Sequence, residues 1–450
     1  MIPTRDDAAL LTEASIARPW FRFVPRRLLV ALLRSDRFQR DMVRLGGGTV
    51  LGQLFVVAAA PLLTRLYAPT DFALAGLLLA FVALAGVAVG LRYDLAIVDA
   101  KTEREAHILL LGAMLSAIPV SLLSAIIYLW MIHQRVLTFE QLAPWTAGLV
   151  FTVLLLSGLF MSCRLWYARV ANFRTVSRAL VVQGAGRAVL PLLLAPLHLG
   201  WAGLISGEVA GRALGVSRMI AHAVVTLRVH LAGVTAAEIR KTLSGHWRYP
   251  LIMLPSSLID ALQAFLPLPV ISTLFGPLAA GEFVLVMRVS ALPMTFIAAS
   301  VSDVYHSRIA DTLRNSPDEV EQVFKKVALH LASIAAVVYV PVILLSPFLF
   351  GVVFGANWQR AGALSAIIGP AMAIRLVSSP LTRTLNVLGY QSWKLSFDVP
   401  RVVVPLGGLW LGQHLGQNFK YSLGLFAAGS FCVEIAMLAI IWRATRRVTP

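Results

Sequence analysis

The chain has 450 residues, 58% hydrophobic and only 14% charged, with a mean hydropathy of +0.78. Soluble domains carry about 25% charged residues, so composition excludes a water-soluble globule and points to a polytopic membrane protein. The formal charge of +17 is compatible with nucleic acid, but its placement along the chain follows a membrane instead, and no nucleic-acid partner is expected.

A membrane-crossing helix needs about 20 apolar residues. Twelve such runs can be placed, near residues 45–64, 72–91, 107–132, 143–163, 177–196 and 199–220, then 250–273, 282–303, 327–350, 361–385, 396–414 and 421–442. The runs are continuous rather than alternating, which excludes a transmembrane barrel. The expected fold is all-α, with two six-helix bundles around a central cavity. The expected divisions are a basic amphipathic segment over 1–42, a first bundle over 43–222 and a cytoplasmic linker over 223–248. A second bundle over 249–443 and a tail over 444–450 complete the chain. In the first segment, WFRFVPRRLLVALLR interrupts its apolar residues with arginines, which suits a surface helix better than a cleavable signal.

The first run opens LGGGTVLGQ, with no Gly-Lys-Ser/Thr after it, so its glycines serve helix packing rather than phosphate binding. It closes with PLLTRLYAPTDF, residues 61–72, where Arg65 sits at the membrane edge. A degenerate copy returns as PVISTLFGPLAAGEF, residues 269–283, with Pro61, Tyr67 and Pro69 answered by Pro269, Phe275 and Pro277. One helix end and one turn used twice imply two similar halves.

The second run leaves the membrane at GLRYDLAIV, where Arg92 and Asp94 read as interfacial anchor, local ion pair or inner gate. The fifth places Arg187 mid-membrane in QGAGRAVLP. In the sixth, Gly203, Gly207, Gly211 and Gly215 form a stripe for close helix approach. Beside it, Glu208 and Arg212 are spaced to pair within the helix, either as a structural pair or facing a lumen. In the seventh, Pro250, Pro255, Pro267 and Pro269 predict bends, and Asp260 reads as a proton or sodium site or as a static hydrogen-bonded acid. Arg288 and Asp303 lie in or near the eighth run and Arg375 in the tenth. Asp398 and Arg401 read as a local pair in the eleventh, and Glu434 lies in the twelfth.

Of the lysines and arginines, only Arg65, Arg135, Arg360 and Lys420 fall on the outer side, and Arg187, Arg212, Arg288, Arg375 and Arg401 fall inside spans. The rest gather on the other side, which places both termini in the cytoplasm. Cys163 and Cys432 make no spacing pattern, and no HExxH, GxSxG or DxD motif is present, so neither an enzyme, a metal site nor a cofactor is expected. Intramembrane arginines in excess over acids suit an anionic ligand, because each offers a permanent charge and a fork matching phosphate oxygens. The candidate binding residues are therefore Arg288, Arg375, Arg187, Arg212 and Arg65. The candidates for ion coupling or gating are Asp260, Glu208, Glu434, Arg92 and Asp94, with a proton or sodium as the coupling ion.

LGGGTVLGQ with PLLTRLYAPTDF, LRYDLAIV, WRYPLIMLPSSLIDAL with LPLPVISTLFGP, VFGANWQRAG, and SSPLTRTLNVLG with SFD run in order through residues 42–443. In this order the chain resembles the polysaccharide (oligosaccharide) flippase family of the multidrug/oligosaccharidyl-lipid/polysaccharide exporter superfamily. The resemblance implies a bacterial plasma-membrane flippase for undecaprenyl-diphosphate-linked oligosaccharide, working by alternating access in surface polysaccharide biosynthesis. It implies membrane lipids and a polysaccharide polymerase or co-polymerase as partners. A cation-extruding antiporter of the same superfamily and a non-transporting scaffold of a glycan assembly complex stand as the alternatives.

Overall fold

A computed structural model of the protein describes residues 37–388 and 390–447, and no β-strand occurs among them. Most of the 1–42 segment therefore lies outside the described residues, as does the side chain of Asp303.

The first half begins with α1, Arg37–Leu66, and α2, Pro69–Gly86. Pro69 opens α2, where its missing N–H costs nothing, and the Asp71 carboxylate accepts from the Ala68 N–H at 3.0 Å. α3 (Glu103–His133) is capped by the Thr102 hydroxyl, and α4 (Thr146–Arg169), α5 (Phe173–Leu194) and α6 (Trp201–His230) follow. A link helix, Ala236–Gly245, leads to the second half. There α7 spans residues 249–275 and α8 spans 277–315, separated at Gly276, whose φ of 83° lets the chain reverse. α9 (Val320–Phe354), α10 (Gln359–Leu381), α11 (Gln391–His414) and α12 (Phe419–Arg446) complete it.

Each of the twelve expected runs is thus helical among the described residues, with shifted ends. α1 already runs from Arg37, α6 continues past residue 222 to His230, and α8 extends to Asn315, beyond the expected end of the eighth run at residue 303. Nine segments are long and apolar enough to cross a membrane by length and composition alone, with α7 and α8 merged into one of them. α6 and α11 fall short because each carries charges inside its span. α2 differs more. It breaks after Gly86 and resumes as the short helix Tyr93–Asp99, with Leu91 and Arg92 at φ 46° and 61°.

Small residues bring the helices together. In QGAGR of α5, a Cβ on Gly184 would strike the backbone of Gly52 in α1, and one on Gly186 would strike Gly211 in α6. α5 is therefore clamped between two backbones, and the next residue, Arg187, is aimed by that clamp. From Gly207 to Gly215 the α6 stripe packs on α5, as its spacing predicts, with Gly207 against Pro191 and Gly215 against Gln183, while Gly203 meets Tyr67.

The two repeated turns meet each other, since a Cβ on Gly281 would strike the Pro69 carbonyl. They lie on the face opposite the chain ends, here termed the far face. There the Trp358 indole N–H donates to the Thr64 carbonyl at 2.7 Å, Phe72 packs edge-on against Trp358 at 5.0 Å, and Arg65 donates to the Val352 carbonyl at 2.9 Å. These contacts close the far face between the halves. On the terminal face, the inner part of α8 (Leu292–Asn315) packs on α9 and α10 of its own half.

Candidate substrate cavity

Between the halves lies a cavity of about 650 Å³, whose charged lining is Arg187, Glu208, Arg288, Arg375, Arg401 and Glu434. Gln53 and Gln263 add neutral polar groups, and the remaining wall is largely apolar. Neither glutamine was singled out in the sequence. Gln53 stands in LGGGTVLGQ, and Gln263 follows Asp260 by three residues on the same helix, which was the available signal.

Each half contributes a carboxylate held by arginine. In the first half, Arg187 of α5 donates to Glu208 of α6 at 2.7 Å, and Arg212 approaches the other oxygen at 3.2 Å while also bonding the Ser157 hydroxyl. In the second half, Arg401 of α11 donates to Glu434 of α12 at 2.8 Å, and Ser378 of α10 donates to the same carboxylate. The fifth helix of each half thus offers an arginine to a glutamate on the sixth. Such pairing answers the cost of an intramembrane charge, at least ~2.5–3.5 kcal/mol on insertion scales.

Arg288 and Arg375 differ from these. Among the described residues neither guanidinium makes a hydrogen bond or an ion pair within 4 Å. Glu208 and Glu434, respectively, act on them only from a distance. Two cations therefore face the cavity without a contact partner, which leaves their donors available to an anion.

Three further spaces surround the cavity. An apolar cleft of about 370 Å³ lies between α1 and α8 and shares Gln53, Val56, Arg288 and Ala291 with it. A chamber of about 400 Å³ in the first half is lined by Arg92, Asp94, Ser157 and Arg212 beside the break in α2. A chamber of about 310 Å³ in the second half holds Asp260, Ser379, Thr382 and Arg383 and touches the central cavity at Arg375, Arg401 and Glu434.

A family model described as "Polysaccharide biosynthesis protein" matches residues 62–363. The chain belongs to that family. No curated protein matches it by sequence. By fold, this member of the polysaccharide biosynthesis family is similar to an inward-facing multidrug resistance MATE family transporter of the MOP superfamily. That pair shares 14% identity, covers 91% of this chain and 98% of the other, and has a TM-score of 0.58. A Vibrio cholerae MATE transporter gives 13% identity, 91% and 95% coverage and a TM-score of 0.55. An outward-facing MATE transporter gives 15%, 93% and 98%, and 0.53. The fold is thus one shared with solved structures of membrane transporters.

In this family member the predicted site residues separate into groups. Arg187, Glu208, Arg288, Arg375 and Glu434 come together at the central cavity, joined by Arg401. Arg212 stands behind Glu208 and lines the first-half chamber instead. Arg65 is absent from the cavity lining and instead donates to the Val352 carbonyl on the far face. Asp260 lies in the second-half chamber. Arg92 and Asp94 do not close an ion pair within 4 Å, because the left-handed backbone at Arg92 turns the chain between them. Asp94 is buried at the end of α2, and that desolvation raises its pKa while Arg92 pulls the other way. Asp398 does reach Arg401, but at 3.7 Å, and Glu434 is the nearer partner.

Proposed function

We propose that this protein is a flippase for undecaprenyl-diphosphate-linked oligosaccharide, moving repeat units across the bacterial plasma membrane for surface polysaccharide biosynthesis. The observation that carries this reading is the pair Arg288 and Arg375, two arginines without contact partners among the described residues that face one cavity between the halves. A lipid-linked diphosphate supplies an anion beside Arg288, and the oligosaccharide it carries extends toward Arg375. The shared lining of Arg288 with the apolar α1–α8 cleft gives the attached polyprenyl chain a route beside its headgroup. With the far face closed, the cavity is loaded from the terminal face, which the distribution of positive charge makes cytoplasmic. The halves then rock about the link, breaking the contacts of Trp358 and Arg65 to release substrate outward.

Net transport requires a bias, and we assign it to a proton or sodium ion acting through Asp260, Glu208 or Glu434. Arg92 and Asp94, at the break in α2, gate the inner side. The product suits hand-over to a polysaccharide polymerase or co-polymerase. A cation antiporter on the same fold is disfavoured by the arginine excess. A strain lacking the protein is expected to accumulate undecaprenyl-linked repeat units on the cytoplasmic side. Normal export without accumulation contradicts the flippase reading, and flipping unaffected by proton or sodium gradients contradicts the coupling.

A further inference from the structure

The second-half chamber has a chemistry of its own. Its wall consists of Asp260 on α7, Arg375 and Ser379 on α10, Thr382 and Arg383 just beyond that helix, and the Arg401–Glu434 pair at its mouth. Among the described residues no apolar side chain lines it, in contrast to the cavity it opens from. It also lies apart from the α1–α8 cleft, with which it shares no lining residue.

Charge distinguishes the two arginine groups. Around Glu208 stand Arg187, Arg212 and Arg288, an excess of two positive charges. Among the groups lining the second-half chamber, Arg375, Arg383 and Arg401 stand against Asp260 and Glu434, an excess of one. Asp398, which does not line the chamber, also reaches Arg401, at 3.7 Å, and has a further interaction of its own. A lipid-linked diphosphate carries two negative charges and an apolar tail, so it fits the first group, where Arg288 adjoins the apolar cleft. Arg375 then remains a half-buried cation without a contact partner among the described residues, an arrangement that is costly until an anion reaches it.

Resting on the lipid-diphosphate reading above, we infer that this chamber is a subsite for the carboxylate of an acidic sugar in the transported oligosaccharide. The planar fork of Arg375 matches a carboxylate. Ser379 and Thr382 set hydroxyl oxygens beside it for sugar hydroxyls; Thr382 donates its own proton to the Ser378 carbonyl and keeps its oxygen as an acceptor. Asp260 and Glu434 in the same wall repel a second dianion, which favours a singly charged group over a phosphate monoester. The repeat unit is therefore expected to contain a uronic acid or another carboxylate-bearing sugar.

The test uses the full-length protein in lipid nanodiscs with two ligands: a lipid-diphosphate-linked disaccharide bearing one uronic acid, and the same molecule with its carboxyl reduced to the alcohol. The wild type is expected to bind the acidic ligand tighter by roughly tenfold, the weight of one charge-assisted contact. Arg375→Gln brings the acidic ligand down to the affinity of the neutral one, whose retained binding shows the variant to be folded. Arg375→Lys keeps part of the preference, and it decides the matter if Arg375→Gln binds neither ligand. Arg288→Ala weakens both ligands by the same factor. Equal binding of the two ligands by the wild type, or a preference that survives Arg375→Gln, overturns the subsite alone. A wild type that binds neither ligand overturns the lipid-diphosphate reading and the subsite with it.

Discussion

At the residue scale, Glu434 holds Arg401 at 2.8 Å and accepts from Ser378, with both charged side chains well buried. Removing one member of such a pair leaves an uncompensated charge. Glu434→Gln is expected to destabilise the protein by about 3–5 kcal/mol, and adding Arg401→Gln should restore part of the loss. Thermal melts of the two variants in detergent check this; a double variant no better than the single one contradicts it. Asp94 gives a pH signature. Burial raises its pKa, so its charged form disfavours the fold at neutral pH, and the penalty disappears as pH falls through the raised value. Wild type should therefore gain stability relative to Asp94→Asn as the pH is lowered from 8 toward the ordinary carboxylate range, about 4. A constant difference between the two would contradict this. The intramembrane charges were legible in the sequence because they interrupt apolar runs, but their pairing was not. Spacing along one helix exposed Glu208 with Arg212 and Asp398 with Arg401, whereas the shorter contacts of both glutamates come from neighbouring helices, which no local pattern encodes.

At the scale of the helices, α5 is held closely on two sides. Gly186 against Gly211 and Gly184 against Gly52 leave no room for a side chain. Gly186→Val is expected to cost about 1–3 kcal/mol by overpacking and to disturb Arg187, one residue on. Its melting temperature and membrane abundance should both fall, while Gly148→Ala, facing open space, should change neither; equal behaviour of the two contradicts the clamp. The glycine stripe could be read from its period of four, and the prolines of α7 foretold the irregular turn at Tyr249–Met253. The break in α2 escaped reading. Residues 87–92 carry no proline, and their hydropathy continues that of the run, so the left-handed turn at Leu91 and Arg92 is imposed by tertiary packing.

For the whole molecule, the repeated turn PLLTRLYAPTDF and its copy revealed two halves before any contact was known. The structure sets both copies on the far face, touching through Pro69 and Gly281. What the sequence did not reveal is that Trp358 and Arg65 complete the closure, since residues 294 positions apart in the chain make the Trp358–Thr64 bond. Trp358→Ala removes that bond together with the packing on Phe72 and should weaken the closed state. In a background lacking Cys163 and Cys432, Ala80→Cys at the cavity wall should then label faster with a membrane-impermeant thiol reagent from the far face. Unchanged labelling contradicts the seal. The central claim concerns transport itself, and reconstitution tests it most directly. Proteoliposomes containing the purified protein should move an undecaprenyl-diphosphate-linked oligosaccharide between leaflets, with Arg288→Ala slower by roughly 10- to 100-fold, as expected for a lost charged contact worth ~1.5–3 kcal/mol. Movement no faster than in protein-free liposomes, or an Arg288→Ala rate equal to that of the wild type, would contradict the account.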